Sequence, residues 1–486
     1  MTTSPSTAQT GGLATITGPV PGRPALTLTA FDLADVGYRV DEYFLSGPAV
    51  SYKAAGANGR DGHWFARPDR TAEYRTRMVV VRPEQAEAFN GTIVVEWLNV
   101  SAGADTAPEW GYTHRELIRS GYAWVGVSVQ KAGIDGGGMM AFPGMEALRK
   151  SDPGRYGDLI HPGDAFCYDI FTQAARAIRA EPQRLIGVPT VKTLIAAGES
   201  QSAGRLTTYI NAIAPLGQAF DGYLVHSRFG GAPGIGKSSL LMSLLTALKP
   251  VRLRTDTTVP VLNFITETDL MTKRFGYLPA RQPDHARLRT WEVAGTAHAD
   301  TYVMGASPID SGNATAAAMA EAIAPTCNLL GITLPGEINA APQHHYVMMA
   351  ALSALNRWIT NGEAPHAGTR LDVGVSKPAT LVLDAAGNAT GGIRSPWMDA
   401  PTCRLSGLAV VKSRMGGLFG STTPLAEGDL TRLYTGGRDD YLAAFGTALS
   451  STIAAGFILA SDRSDIEALA AASYPDSRPP VDQPAA

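Results

Sequence analysis

Along the chain, short continuous apolar runs alternate with segments whose apolar residues recur every three or four positions. That alternation predicts a parallel sheet covered by crossover helices. Tyr38 to Lys53 and Arg75 to Arg82 read as leading strands. Thr92 to Leu98 and Tyr122 to Val129 are apolar without alternation, as expected of strands buried on both faces. Between them, Pro108 to Ser120 reads as a helix. A second helix is expected over Asp164 to Ala180, with Phe166, Ile170, Phe171, Ala174 and Ile178 at helical spacing and Asp164 placed to cap it. Four more strands follow at Thr193 to Ala197, Gly222 to Ser227, Val259 to Thr266 and Arg289 to Gly295. A helix is expected from Tyr346 to Ile359, stopped by Gly362 and Pro365. The fold class is therefore α/β, a doubly wound and mainly parallel sheet.

The same pattern divides the chain. Residues 1–20 read as a disordered N-terminal tail and 21–370 as the core that carries the sheet. Within it, 228–258 forms an insertion, a Gly-rich loop followed by an apolar helix from Leu240 to Leu248, placed to cover a site. Residues 371–476 read as an extension packed on the core, with a turn at Gly391 to Pro396 and a helix from Tyr441 to Ile458. Residues 477–486 read as a second disordered tail.

Composition removes several classes of function. The 486 residues carry a net charge of −3, so there is no basic field to hold nucleic acid or an anionic membrane. No run is long enough to span a bilayer, and the first twelve residues lack the basic and apolar regions of a signal peptide. Cys167, Cys327 and Cys403 are too few and too scattered for a disulfide framework or a zinc site. A cytoplasmic location, a small-molecule partner and no metal are the expectations.

The candidate chemistry lies in VKTLIAAGESQSAGRLTTYI, Val191 to Ile210. A buried strand ends at Gly198, turns through Glu199, Ser200 and Gln201, and becomes a helix at about Ala203. Such a turn holds a serine hydroxyl clear of the backbone, and small residues must flank it. Gly198, Ser202, Ala203 and Gly204 supply them, with Ser202 where a second glycine is usual. A serine at neutral pH needs a base, and the base needs a carboxylate to hold its tautomer. Both follow late strands in the required order. Val259 to Thr266 leads into Glu267 and Asp269, and Arg289 to Gly295 leads into His298. Asp269 is the preferred acid, with Glu267 the alternative; Asp284 and Asp300 read as surface charges. The oxyanion donors expected are the Gln201 N–H and that of Val100 or Ser101, on the loop after Thr92 to Leu98. Trp110, Phe229 and Tyr302, with Trp97, Trp291 and the helix Leu240 to Leu248, are candidates for lining an apolar pocket.

One motif competes. Gly231 to Ser238, GAPGIGKS, matches the phosphate-cradling pattern, in which Lys237 would reach the phosphates and Ser238 would bind magnesium. His344 and His345 are adjacent and have no carboxylate at ligand spacing, so a structural role is expected of them.

FNGTIVVEWLNVSAG, GVSVQKAG, HPGDAFCYDIFTQA, GESQSAGRL, TETDL, WEVAGTAHAD, APQHHYV, GGIRSP and LYTGGRDDYLAAF, in this order, resemble the blocks of a family of large, mostly bacterial α/β-hydrolase-domain proteins. The resemblance covers nearly the whole chain. It implies an α/β-hydrolase core with Ser200 as nucleophile, His298 as base and an acid from TETDL, and it implies that the Gly231 loop belongs to the hydrolase. The expected activity is that of a serine carboxylic-ester hydrolase, with no cofactor. The alternatives are a P-loop nucleotide-binding protein and a non-catalytic hydrolase fold serving as a binding module.

Overall fold

The computed structural model describes residues 13–138, 144–236, 248–329, 331–409 and 416–475. The helix expected from Leu240 to Leu248 lies almost wholly outside them, as do Lys237 and Ser238.

Nine strands form one sheet in the order β1-β2-β3-β5-β4-β6-β7-β8-β9. They are β1 (Thr15–Thr17), β2 (Tyr38–Ala54), β3 (Ala66–Pro83), β4 (Thr92–Trp97), β5 (Ala123–Val127), β6 (Thr193–Glu199), β7 (Gly222–His226), β8 (Val261–Thr266) and β9 (Leu288–Val293). Pairing is antiparallel from β1 to β5 and parallel from β5 through β9. All residues of β4 to β8 are buried, which is why their sequences run apolar without alternation.

The antiparallel end differs most from the sequence reading. β2 and β3 pair from Tyr38 opposite Pro83 to Ala54 opposite Ala66, with an irregularity between Val50 and Tyr52. The first half of β3, ARPDRTAEY, is polar because that end of the hairpin projects from the core, so it carries no apolar signal. β1 lies within the stretch expected to be a disordered tail. Its Ile16 is buried between two exposed threonines, and that one contact face adds it to the sheet edge.

Helices cover both faces. Cys167–Ala180 and Gln201–Thr208 pack on one side with Phe171, Ile178 and Leu206 in a common core. Pro108–Arg119 and Gln343–Asn361 pack on the other, where Arg438–Ala454 and Arg463–Ser473 join the same apolar cluster through Phe445, Leu449, Ile466 and Leu469. The C-terminal region thus shares its core with the sheet. It also extends the sheet beyond β9, since Ala294 N–H donates to Ile393 O (3.0 Å) and Ile393 N–H to Glu292 O (2.7 Å). Gln343–Asn361 ends at Gly362, which takes the left-handed conformation (φ 77°) that a residue with a Cβ adopts reluctantly.

Asp164 does not cap the following helix, which starts at Cys167. Its carboxylate accepts from Lys131 N–H (3.0 Å) and Gln130 Nε2 (3.1 Å) and pairs with buried Arg205 (2.9 Å). The chain runs from β4 to β5 on one side and then crosses to β6 on the other, so the strand order reverses at β4 and β6. The loops after those two strands lie at their carboxyl ends, the place where ligands of such sheets bind.

Candidate active site

β6 ends at Glu199, and the helix begins at Gln201, two residues earlier than the sequence suggests. Ser200 alone makes the turn, with φ 60° and ψ −116°. A non-glycine residue in that region is strained, and it persists only where its surroundings hold it. Ser200 N–H donates to His226 O on β7 (3.0 Å), and Gly204 N–H donates to Ser200 O (3.1 Å). Close packing explains the small residues: a Cβ on Gly198 would stand 3.2 Å from the Ser202 backbone and Cβ. Ser202 fits without a second glycine because its buried hydroxyl donates to Leu98 O at the end of β4 (3.3 Å).

The elements after β8 and β9 meet this serine. His298 Nε2 lies 2.8 Å from Ser200 Oγ, and His298 Nδ1 lies 2.6 Å from Asp269 Oδ1. An ionised carboxylate only accepts, so the Asp269 contact places a proton on Nδ1. The other Asp269 oxygen, Oδ2, accepts from Thr266 N–H (2.9 Å) and Thr266 Oγ1 (2.7 Å). Asp269 is fully buried; burial works against its charge, but His298 and these donors outweigh it and hold its pKa below the ordinary value. Glu267 faces elsewhere. It accepts from Gly295 N–H (2.6 Å) and Gly407 N–H (2.8 Å), pinning the turn before His298 to the C-terminal region. Burial pushes its pKa up to about 7, against those two amides.

Of the oxyanion candidates, Ser101 has its N–H occupied by Asn99 Oδ1 (2.8 Å). Val100 N–H meets no acceptor among the described residues, so of the two it is the free donor. Asn99 Nδ2 reaches across to Glu199, donating to its backbone O and to Oε2 (both 3.1 Å), and so ties the β4 loop to the elbow.

Sequence reasoning missed two features. The first is Glu199, whose Oε1 lies 3.2 Å from His298 Nε2, the nitrogen that also faces Ser200. Burial raises Glu199 to about 8. Burial opposes charge on His298 as well, yet Glu199 and then Asp269 raise it to about 9. The second is a buried file of titratable groups beneath the elbow. Glu109 Oε1 lies 3.3 Å from His226 Nδ1, His226 Nε2 lies 2.8 Å from His344 Nε2, and His344 Nδ1 lies 3.1 Å from Asp300 Oδ2. Asp300 is therefore not a surface charge: it is fully buried, held by His344 and by Val303 N–H (3.0 Å). Asp284 is partly buried and bound to Thr290 N–H (3.0 Å) and Arg370. The sequence signal for the first is a charged residue, Glu199, at the end of an otherwise apolar strand; Asp300 lies in the loop after β9 and Glu109 on a helix, so the second carries no such signal.

Of the expected pocket residues, Phe229 is half-buried and stacks on the His298 ring (centroids 5.1 Å apart, planes 22° apart). Trp110 and Tyr302 are instead core residues. Trp110 packs on Trp124 and donates to Leu28 O (3.2 Å), and Tyr302 stacks on His345 and donates to Asp310 (3.0 Å). Trp97 and Trp291 are buried too. The described part of the Gly231 loop lies against the elbow helix, where Thr208 Oγ1 donates to Pro233 O (2.6 Å). Among the described residues, no three His, Cys, Asp or Glu side chains are grouped to hold a metal, and no helix is long and apolar enough to cross a membrane.

A doubly wound sheet with a strained serine turn at its switch point, and with an acid and a histidine following later strands, is the architecture of the α/β-hydrolase class. A family model described as an alpha/beta hydrolase domain matches residues 5–468, and the chain belongs to that family. No curated protein matches the chain. Solved structures similar to parts of it include an esterase of Rhizomucor miehei (13% identity, 55% of this chain and 79% of that one, TM-score 0.28). Others are an α/β serine hydrolase of Xanthomonas campestris (15%, 50% and 83%, 0.26) and a carboxylesterase of Lactobacillus plantarum (13%, 48% and 78%, 0.27).

Proposed function

We propose that the protein is a serine hydrolase that cleaves a carboxylic ester of a small apolar or aromatic substrate through an acyl-enzyme. The observation that carries this reading is the unbroken line from Ser200 Oγ through His298 to Asp269, built on a serine held at φ 60°. In that reading Ser200 attacks the acyl carbon, and its proton passes to His298 Nε2. Asp269 keeps the other imidazole proton on Nδ1 and stabilises the imidazolium. The N–H groups of Gln201 and Val100 receive the oxyanion, a contribution of about a hundred- to a thousandfold for each donor. His298 returns the proton to the leaving alcohol, and a water then repeats the sequence to release the acid. Phe229 supports an apolar or aromatic substrate because its ring sits beside the base.

The test is hydrolysis of short aryl esters, with labelling by a fluorophosphonate probe, in the wild type and in Ser200→Ala. The wild type should hydrolyse and take the label, and the variant should lose both. Full activity and labelling in Ser200→Ala, or neither in the wild type, rejects the reading.

A further inference from the structure

His298 is flanked by a carboxylate at each ring nitrogen. Asp269 meets Nδ1, as the proposed reaction requires; Glu199 Oε1 meets Nε2 at 3.2 Å, beside Ser200 Oγ at 2.8 Å. Glu199 is not free to turn away, because Asn99 Nδ2 holds its other oxygen and its backbone O. We propose that Glu199 is a positioning residue of the reaction, which takes the Nε2–H hydrogen bond of the imidazolium once Ser200 Oγ is bonded to the acyl carbon, and thereby sets the pH at which His298 is free to act as a base. The inference rests on the esterase reading for its role in turnover, and on the contact alone for its effect on His298.

The chemistry balances without a new reactant. As the Oγ–C bond forms, the carbonyl π pair moves onto oxygen and the hydroxyl proton moves to Nε2. Ser200 Oγ is then a poorer acceptor, while Glu199 Oε1 remains in place. The Nε2 proton next passes to the leaving oxygen as its bond to carbon breaks and the carbonyl reforms, so Glu199 neither gains nor loses a proton overall. Before attack the balance runs the other way. Neutral His298 turns a lone pair toward Ser200 and Glu199, and an ionised carboxylate at that distance favours the protonated ring instead. Glu199 thus makes His298 a stronger base but frees it only at higher pH.

Other groups around His298 are accounted for. His226, on β7, is neutral because burial lowers its pKa to about 3. Burial holds Glu109, on the helix Pro108–Arg119, well above the ordinary carboxylate range, and it likewise holds the Tyr112 phenol up. Asp300, on the His298 loop, is spoken for by His344. Among the described residues, Asp269 and Glu199 are the two carboxylates in contact with the ring.

The variant is Glu199→Gln, which keeps the volume and an oxygen for Asn99. Two measurements are made: NMR titration of the His298 ring in the unliganded protein, and the pH dependence of kcat/KM with p-nitrophenyl acetate. In the wild type both should report a group near 9. In the variant both should move down by about one pH unit or more, while kcat on the alkaline plateau falls. Glu199→Asp, with its carboxylate drawn back by one methylene, should fall between. A His298 titration unchanged in both variants overturns the proposal. The NMR result stands whether or not the protein turns over esters, so it separates this inference from the esterase reading, which Ser200→Ala decides.

Discussion

Asp269 and Glu267 are two buried carboxylates two residues apart, and their neutral amide analogues should fail in different ways. Asp269 receives three hydrogen bonds, from Thr266 N–H, Thr266 Oγ1 and His298 Nδ1. In Asp269→Asn one oxygen has to serve both sides. Turning the new NH2 toward Thr266 sets it against two donors, at about 1–3 kcal/mol for each unsatisfied group. Turning it toward His298 demands a bare Nδ1 and moves the ring proton to Nε2, where it cannot accept from Ser200. The second arrangement costs less, so the variant should fold with the wrong tautomer and lose about 10⁴ in kcat, roughly 5.5 kcal/mol of barrier, with KM little changed. Glu267→Gln should keep kcat within about tenfold, because its carboxylate touches Gly295 and Gly407 rather than the imidazole. Its effect is on stability. Glu267 stands near 7 against an ordinary 4.5. The raised value means that the folded state holds the proton longer, so stability falls as pH rises from about 4.5 to 7 and is flat above. The distance between those two values corresponds to about 3 kcal/mol. The amide of the Glu267→Gln variant lacks that slope and leaves one glycine N–H without an acceptor. Urea unfolding should therefore find Glu267→Gln less stable than wild type at pH 4.5, with the gap closing by pH 8. Aryl-ester kinetics and unfolding at the two pH values test both halves. A loss of about 10⁴ in kcat for Glu267→Gln, with Asp269→Asn near wild type, would refute the reasoning.

Two further outcomes are expected. Ser200→Gly should be more stable than Ser200→Ala by about 1 kcal/mol in urea unfolding: both lose the bond to His298, but glycine relieves strain of about 1–3 kcal/mol at a cost of about 0.5–1 in chain entropy. Alanine being the more stable would show that the turn is not strained. The Glu109 to Asp300 file has one consistent arrangement with neutral histidines: Asp300 accepts from His344 Nδ1–H and His344 Nε2 accepts from His226 Nε2–H, which leaves His226 Nδ1 unprotonated, 3.3 Å from Glu109 Oε1 but without a hydrogen bond to it. Burial holds Glu109 well above the ordinary carboxylate range, so Glu109→Gln, which matches a neutral carboxyl in shape and charge, should retain stability and the ring tautomers read by ¹⁵N NMR; a loss of about 1–3 kcal/mol in urea unfolding would mean that Glu109 is ionised.

How much of this was legible depended on burial. β4 to β8 announce themselves because both faces are covered, and their ends fall within a few residues of the apolar runs. The polar half of β3 and the single apolar contact of β1 leave no pattern to read, since strand pairing there rests on backbone bonds that any sequence supplies. At the site, the serine, the histidine and Asp269 follow from strand order. The choice of Val100 over Ser101 does not, because it turns on whether the Asn99 side chain folds back onto Ser101 N–H.

Glu199 and Asp300 mark the deeper limit. A carboxylate beside an apolar strand reads as solvated, for an isolated buried charge is costly; only a partner from elsewhere in the chain reverses that expectation. Those partners come from elsewhere in the chain: Asn99 and His298, on the loops after β4 and β9, around Glu199, and His344, in the first turn of the helix Gln343–Asn361, beside Asp300. The strand that leads into Ser200 ends with the residue before it, Glu199. There, between the β4 loop and the base, a glutamate lies within reach of the imidazole. The turn that carries Ser200 is therefore also what gives His298 its second carboxylate, and substitution at Glu199 should alter the titration of His298 while leaving Ser200 in place.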